Sequence, residues 1–147
     1  EWNFGAQLDW HLLAQRLHAG VQQLVRDLNQ ALRAHPALHR RDAVGDGFAW
    51  ISHEDADHSV LVFERRGDAG ESVLVICNLT PVVRHGWRIG VPRSGVWREL
   101  VNTDDARYGG SGVRNGSLAS EDIAWQAQAQ SIVMTLPPLA TVMLVAD

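Results

Sequence analysis

The spacing of apolar residues changes near Arg41, and this change limits the folds that the chain can adopt. Before Arg41 the apolar side chains recur at the 3.6-residue period of an amphipathic helix. One stripe of that helix holds Val21, Leu24, Val25, Leu28 and Leu32. Pro36 cannot donate a helical hydrogen bond, so it marks the end of the helix. We expect a helix over Val21–Ala34, with a shorter helical turn over Leu8–Leu13 before it.

After Arg41, short apolar runs with a period of two alternate with clusters of Gly, Pro, Asn and Asp, which is typical of strands and turns. The runs predict strands at Phe48–Ile51, Ser59–Arg65, Ser72–Leu79, Trp87–Val91, Val96–Val101, Ser131–Leu136 and Thr141–Val145. No helical period separates them, which argues against a parallel βαβ sheet. The prediction is a mainly β fold: an antiparallel β-sandwich of Greek-key type with about seven or eight strands, preceded by an N-terminal helical segment.

Individual segments of the β half carry further expectations. Ser72–Leu79 is apolar on both faces and predicts a central, buried strand in which Cys77 is a small core residue. Trp97 shares its strand face with Glu99 and not with Leu100, which makes it a better candidate than Trp87 for an exposed ring. The segment Asn102–Asp122 is rich in Gly, Ser, Asn and Asp and is too long for a hairpin turn, which predicts a loop excursion.

Composition excludes several classes of function. The 147 residues suffice for one sizeable core. All 13 basic residues are Arg, which excludes lysine Schiff-base and P-loop chemistry, and the net charge of −4 without a basic run gives no footprint for nucleic acid or an anionic membrane. No apolar run approaches ~18 residues, so no membrane span is expected. The single Cys77 allows no internal disulfide or CxxC metal site, and a reducing, cytoplasmic compartment is expected.

No motif for catalysis or metal binding stands out. The chain has neither HExxH nor GxSxG. His35 and His39 are four residues apart, but Pro36 between them prevents a shared helical face. The acidic residues Glu54, Asp55 and Asp57 lack the full calcium-loop pattern and fit a turn. A glycosidase needs a pair of carboxylates, and among 17 acidic residues the sequence cannot exclude one. We expect no metal and no cofactor.

Tryptophan is over-represented in this chain, which contains six. A flat aromatic ring suits the apolar face of a pyranose, although a buried core is the commoner place for tryptophan. Trp87 lies on the apolar face of its strand and is expected in the core. Trp97, Tyr108 and Trp125 are candidates for exposed rings.

Blocks along essentially the whole chain, in order, resemble bacterial glycogen branching enzymes of the α-amylase superfamily. Three blocks are similar to the end of the catalytic barrel of these enzymes: Glu1–Asn3, Leu8–Leu13 and Gly20–Asn29. Six further blocks are similar to their C-terminal domain: Val75–Pro81, Arg84–Pro92, Trp97–Glu99, Asn102–Asp104, Tyr108–Gly112 and Leu136–Thr141.

The resemblance implies a role within a larger enzyme. In the family, a (β/α)8 barrel carries an Asp nucleophile, a Glu acid/base and a second Asp. It cuts an α-1,4-glucan and reattaches the segment through an α-1,6 bond by the retaining, two-carboxylate route, with a glucan hydroxyl in place of water. Those motifs lie upstream of this chain. Residues 1–40 would be the last loop and helix of the barrel and residues 41–147 the C-terminal β-sandwich, with no catalytic residue and no activity of their own.

The resemblance also implies partners: the missing catalytic barrel of the same polypeptide, and α-glucan or glycogen. Trp2, Asn3 and Trp10 would lie near the mouth of the barrel and could touch glucan. Trp97, Tyr108 and Trp125 are the further candidates for glucan contact. Because bare apolar surface is costly, we expect the helix to dock on the sandwich or on a second copy of the chain.

Two alternatives remain at this point. The first is an independent carbohydrate-binding module, against which the helix argues, because such a module needs no appendage with a buried-type stripe. The second is a free-standing enzyme of unknown type, which the absent motifs disfavour.

Overall fold

The helical half of the chain follows the prediction, with a longer helix. The computed structural model describes residues 3–147. A 3-10 turn at Trp10–Ala14 precedes helix α1, which spans Arg16–Ala34 and so begins earlier than predicted. The helix ends where Pro36 opens a second 3-10 turn, Pro36–Leu38, as the proline predicted.

Eight strands follow α1, and they include all seven that the sequence predicted. They are β1 (Phe48–Asp55), β2 (Val60–Arg66), β3 (Ser72–Asn78), β4 (Arg84–Val91), β5 (Val96–Asn102), β6 (Leu118–Ala119), β7 (Gln130–Leu136) and β8 (Ala140–Ala146). The short β6 arises within the segment predicted as a loop. All the pairings between these strands are antiparallel, which confirms the predicted sheet type.

The strands form two sheets that enclose the main core. The large sheet has the order β1-β2-β3-β8-β5-β6, and β4 pairs with β7 in the small one. The last strand, β8, lies between β3 and β5, so the end of the chain joins the two parts of the large sheet. The core between the sheets draws on both, for example Leu74 of β3, Ile89 of β4 and Ile132 of β7, each with 0% exposure.

A second cluster covers the outer face of β3. Ala37 of the second 3-10 turn is fully buried against Val73 and Val75 of β3 and Val145 of β8. This explains why β3 is apolar on both faces and confirms the prediction of a central, buried strand. Glu71 anchors the same turn, because one of its carboxylate oxygens accepts the Ala37 amide proton at 3.3 Å.

Helix α1 docks on the β part of the chain through small and polar residues. Gly20 and Ala31 are its buried positions. The main difference from the expectation lies in the predicted apolar stripe, which is buried only in part: Leu24 and Leu28 are half-buried, whereas Val21 is 60% exposed and Val25 is 52% exposed. The helix therefore packs on its own chain and still leaves an apolar face in solvent.

Candidate functional site

The described residues contain neither a group of side chains suited to bind a metal ion nor a helix suited to span a membrane. Within residues 3–147, His, Cys, Asp and Glu side chains form no group of three or more that could hold a metal ion. In the same part of the chain, no helix is long and apolar enough to span a membrane.

Two buried carboxylates hold the long segment after β5 in place. Asp104 accepts hydrogen bonds from the Ser111 amide at 2.8 Å, the Ser111 hydroxyl at 2.6 Å and the Val113 amide at 3.0 Å. Glu99 Oε1 accepts from both the backbone amide and the side-chain amide of Asn115, at 2.9 Å each. Because these oxygens bind donors of the same chain, the two carboxylates organise the loop.

The ring of Trp97 is buried, so this candidate for an exposed ring is wrong. Its side chain is 0% exposed and belongs to the main core. The error follows from its neighbour Glu99, whose side chain is itself only 6% exposed, so that sharing a face with an acid does not mean exposure. The Arg93 guanidinium lies 6.0 Å from the centre of the Trp97 ring. Trp97 therefore offers no free face to a sugar.

Tyr108 is buried too, so the prediction that it is a candidate for an exposed ring is wrong. It is 6% exposed, and its hydroxyl donates a 2.6 Å hydrogen bond to Asp27 of α1. Burial, together with this bond to Asp27, raises the pKa of Tyr108 to about 12. The same bond lowers the pKa of Asp27 below its ordinary value. Tyr108 thus belongs to the contact that docks α1.

The N-terminal candidates lie beside the exposed face of α1. Trp2 is outside the described residues. Asn3 is exposed, and its side-chain oxygen accepts the Gly5 amide proton at 3.2 Å. Trp10 is 63% exposed and lines a shallow groove of about 370 Å³ together with Leu8 and Val21. The structure therefore places Trp10 next to apolar helix surface, and its contact with glucan stays a prediction.

Trp125 is the candidate whose ring is exposed and lines a cleft. It is 47% exposed and lines a cleft of about 430 Å³ with Trp87. The polar side chains of this cleft come from Asp55, His58, Arg88 and Gln126. Trp87, expected in the core, is only partly buried: it packs against the main core and also lines the cleft. Strand parity located the inward side of Trp87 but gave no sign that Trp87 and Trp125 line the same cleft.

Comparison with known proteins decides the family of the β part. Residues 50–147 match the family model described as "Alpha amylase, C-terminal all-beta domain". The chain belongs to this family. Domains of this family are non-catalytic, which agrees with the expectation from the sequence that the chain alone is not an enzyme.

The match to individual relatives extends over the whole chain, beyond the α-amylase C-terminal all-β domain itself. The 1,4-alpha-glucan branching enzyme GlgB of Rhodospirillum rubrum is 54% identical over 148 residues, covering 100% of this chain. The enzyme of the same name from Rubrobacter xylanophilus is 54% identical over 145 residues, covering 98%. The branching enzyme GlgB 2 of Xanthomonas campestris is 52% identical over 149 residues, covering 100%.

The chain is much shorter than these relatives. It spans 20% of the length of each of them. Among solved structures, an α-amylase from H. orenii aligns with 86% of this chain and 22% of its own, at 20% identity and a TM-score of 0.40.

Proposed function

We propose that this chain is the C-terminal, non-catalytic part of a glycogen branching enzyme. Residues 1–40 are then the last loop and helix of a catalytic (β/α)8 barrel, and residues 41–147 are the C-terminal β-sandwich. The observation that carries this proposal is the whole-chain similarity, because 54% identity over 148 residues includes the helical segment that precedes the all-β domain at residues 50–147.

The exposed side of α1 supports a missing partner within the same polypeptide. We define the apolar face of α1 as Leu17, Val21, Val25 and Leu32, which are 59%, 60%, 52% and 42% exposed. Apolar surface left in water costs about 25 cal/mol per Å² relative to burial. A helix that docks on the sandwich by one side and keeps such a face on another side is suited to lie between two bodies. The catalytic barrel is the second body in this proposal.

The parent enzyme would transfer segments of an α-1,4-glucan to α-1,6 branch points in glycogen biosynthesis. Its barrel would supply the nucleophile and the acid/base for retaining chemistry. This chain would support the barrel, with Trp10 and Asn3 close to the mouth where glucan enters. A cytoplasmic location belongs to the same proposal.

Replacement of the matching segment in a relative tests the proposal. The R. rubrum enzyme would receive this chain in place of its own segment, which is 54% identical. The formation of α-1,6 linkages from amylose is followed by proton NMR, with the R. rubrum enzyme lacking the segment as the control. We expect branching by the chimera and none by this chain alone. A folded chimera without activity, or branching by the purified chain, would contradict the proposal.

The alternative is an independent carbohydrate-binding module. The cleft between Trp87 and Trp125 favours it, since a partly exposed indole beside polar side chains suits a sugar. The apolar face of α1 speaks against it, because a module that acts alone has no use for that surface. Under the alternative, this chain would not restore the branching activity that the R. rubrum enzyme loses with its own segment.

A further inference from the structure

We propose that the cleft between Trp87 and Trp125 binds α-1,4-linked glucan on the β-sandwich itself. No residue of α1 is among the residues that line this cleft in the described part of the chain. The site is therefore separate from the surface assigned to the catalytic barrel. The choice of an α-linked glucan as the ligand class rests on the proposed function, whereas the cleft is defined by its own geometry.

The first support is the strained turn that presents Trp125. The amide of Trp125 donates to the Gln128 carbonyl at 3.0 Å, and the amide of Gln128 donates back at 2.9 Å. The two residues between them, Gln126 and Ala127, have φ values of 50° and 59°. Two successive non-glycine residues in the left-handed region cost free energy, so the turn persists only because its surroundings hold it.

Strand β4 provides those surroundings. The Gly90 amide donates to the side-chain oxygen of Gln126 at 3.0 Å. Gly90 also lets the turn come close, since a Cβ there would lie 2.3 Å from the Trp125 carbonyl oxygen. The turn is thus fastened to the strand that carries Trp87, and the backbone positions of Trp87 and Trp125 are fixed relative to each other.

The second support is the local irregularity of β4 at Trp87. The pairing of β4 with β7 shifts between Arg84 and Trp87, and Gly86 in between has a φ of 63°. Such bulges redirect side chains and are common next to functional sites. The Trp87 ring packs edge-to-face against the His58 ring, with centroids 5.0 Å apart, and the Arg84 guanidinium lies 5.3 Å from its centroid. These contacts hold the ring in place beside the cleft.

The charges around the cleft favour a neutral ligand. His58 Nδ1 lies 2.7 Å from Asp55 Oδ1. Arg88 donates to Glu121 at 2.6 Å and to the Ser131 hydroxyl at 2.7 Å. Because His58 and Arg88 each face a carboxylate of the same chain, an anionic ligand would meet no excess of positive charge. A sugar offers apolar faces for the indoles and hydroxyls for the polar side chains, and the cleft of about 430 Å³ falls in the roughly 300–1,000 Å³ range of small-ligand sites.

An NMR titration of the full chain with maltoheptaose tests the location of binding. The indole N–H signals report each tryptophan separately. We expect the signals of Trp87 and Trp125 to shift in a saturable way while that of Trp50 stays in place. Shifts confined to other indoles, or no shift at millimolar maltoheptaose, would overturn the proposal. β-linked cellohexaose is the matched oligosaccharide, and equal binding of the two sugars would overturn the assignment to an α-linked glucan.

Variants test which side chain carries the affinity. Trp125→Ala should weaken maltoheptaose binding about tenfold or more, and Trp125→Phe should retain most of it. Ile123→Ala is the control, because Ile123 is 47% exposed on the same segment and does not line the cleft. Wild-type affinity in a Trp125→Ala chain with an unchanged amide spectrum would contradict the proposal.

The outcome is independent of the test of the proposed function. If the chimera branches glucan but its sandwich binds no maltoheptaose, the proposal of a glucan-binding cleft is refuted, and the assignment to the branching enzyme stands. If the chimera is folded and inactive but its sandwich binds maltoheptaose at Trp125, the assignment to the branching enzyme is refuted, and the glucan-binding cleft stands.

Discussion

The Tyr108 hydroxyl donates a 2.6 Å hydrogen bond to Oδ2 of Asp27, across 81 positions of sequence, and so ties helix α1 to the segment that follows β5. Gln23 donates to the other oxygen of Asp27 at 2.7 Å, and Arg107 Nη1 lies 3.3 Å from Oδ2. The helix is therefore held by polar contacts and by a close approach at Gly20, which leaves its apolar face available to a second body.

The tyrosine titration should report this contact directly. Tyr108 is the single tyrosine of the chain, so tyrosinate absorbance measures it alone. Its pKa is raised from 10.0 to about 12, mainly by burial and then by Asp27. Because the folded state favours the protonated phenol, the resulting stability is present below pH 10 and is lost as the pH rises through about 12. Asp27→Asn should bring the pKa of Tyr108 down toward 10.0, and an ordinary pKa in the wild-type chain would refute the contact.

The pKa of Asp27, the acidic partner of Tyr108, is shifted in the opposite direction. The bond from Tyr108 lowers the pKa of Asp27 from 3.8. A depressed carboxyl pKa contributes stability that is present above the unfolded value and lost as the pH falls through the folded value. Tyr108→Phe should therefore raise the pKa of Asp27, as measured by carbon NMR of the carboxyl group. An unchanged pKa in that variant would show that the hydroxyl does not act on Asp27.

Gly20→Ala should destabilise the chain although alanine favours helices. A Cβ at Gly20 would lie 2.4 Å from the Tyr108 carbonyl oxygen, so helix and loop must separate. We expect the free energy of unfolding to fall by about 1–3 kcal/mol. Gly45→Ala is the matched control, since nothing lies within 4 Å of its Cβ. Urea denaturation measures both variants, and a Gly20→Ala chain as stable as the control would rule out the close approach.

Trp97 should tolerate phenylalanine far better than alanine. The ring is 0% exposed, and its Nε1 has no hydrogen-bond partner within residues 3–147, so Trp97→Phe removes no bond and leaves a small cavity. Trp97→Ala empties the site, which should cost about 3–5 kcal/mol of unfolding free energy, against at most about 2 kcal/mol for Trp97→Phe. Near wild-type stability of Trp97→Ala would mean that the ring lies outside the core.

The strand half of the fold could be predicted because the period of two and the turn residues are local signals. Each of the seven predicted strands has its counterpart within a few residues, and the double-sided apolar pattern of β3 is explained by the cover that Ala37 provides. The two-residue β6 had no such signal, since its pairing with β5 depends on the path of the long loop.

The contacts of individual rings were harder to predict. Parity placed Trp97 beside Glu99, but the exposure of Glu99 depends on partners such as Asn115 that follow much later in the chain. The docking side of α1 is marked by Gly20 and Asp27, which a hydrophobic stripe does not single out. The placing of Trp125 in the same cleft as Trp87 depends on Gly90, whose close approach to the Trp125 backbone is visible only in three dimensions.

Side-chain footprinting with hydroxyl radicals tests most directly whether the apolar face of α1 belongs against a catalytic barrel. The labelling of Leu17, Val21, Val25 and Leu32 would be compared between this chain alone and the chimera with the R. rubrum enzyme, with the exposed Leu139 as the reference. We predict that labelling of the four helix side chains falls sharply in the chimera while that of Leu139 stays the same. Equal labelling of the four side chains in both proteins would contradict the account.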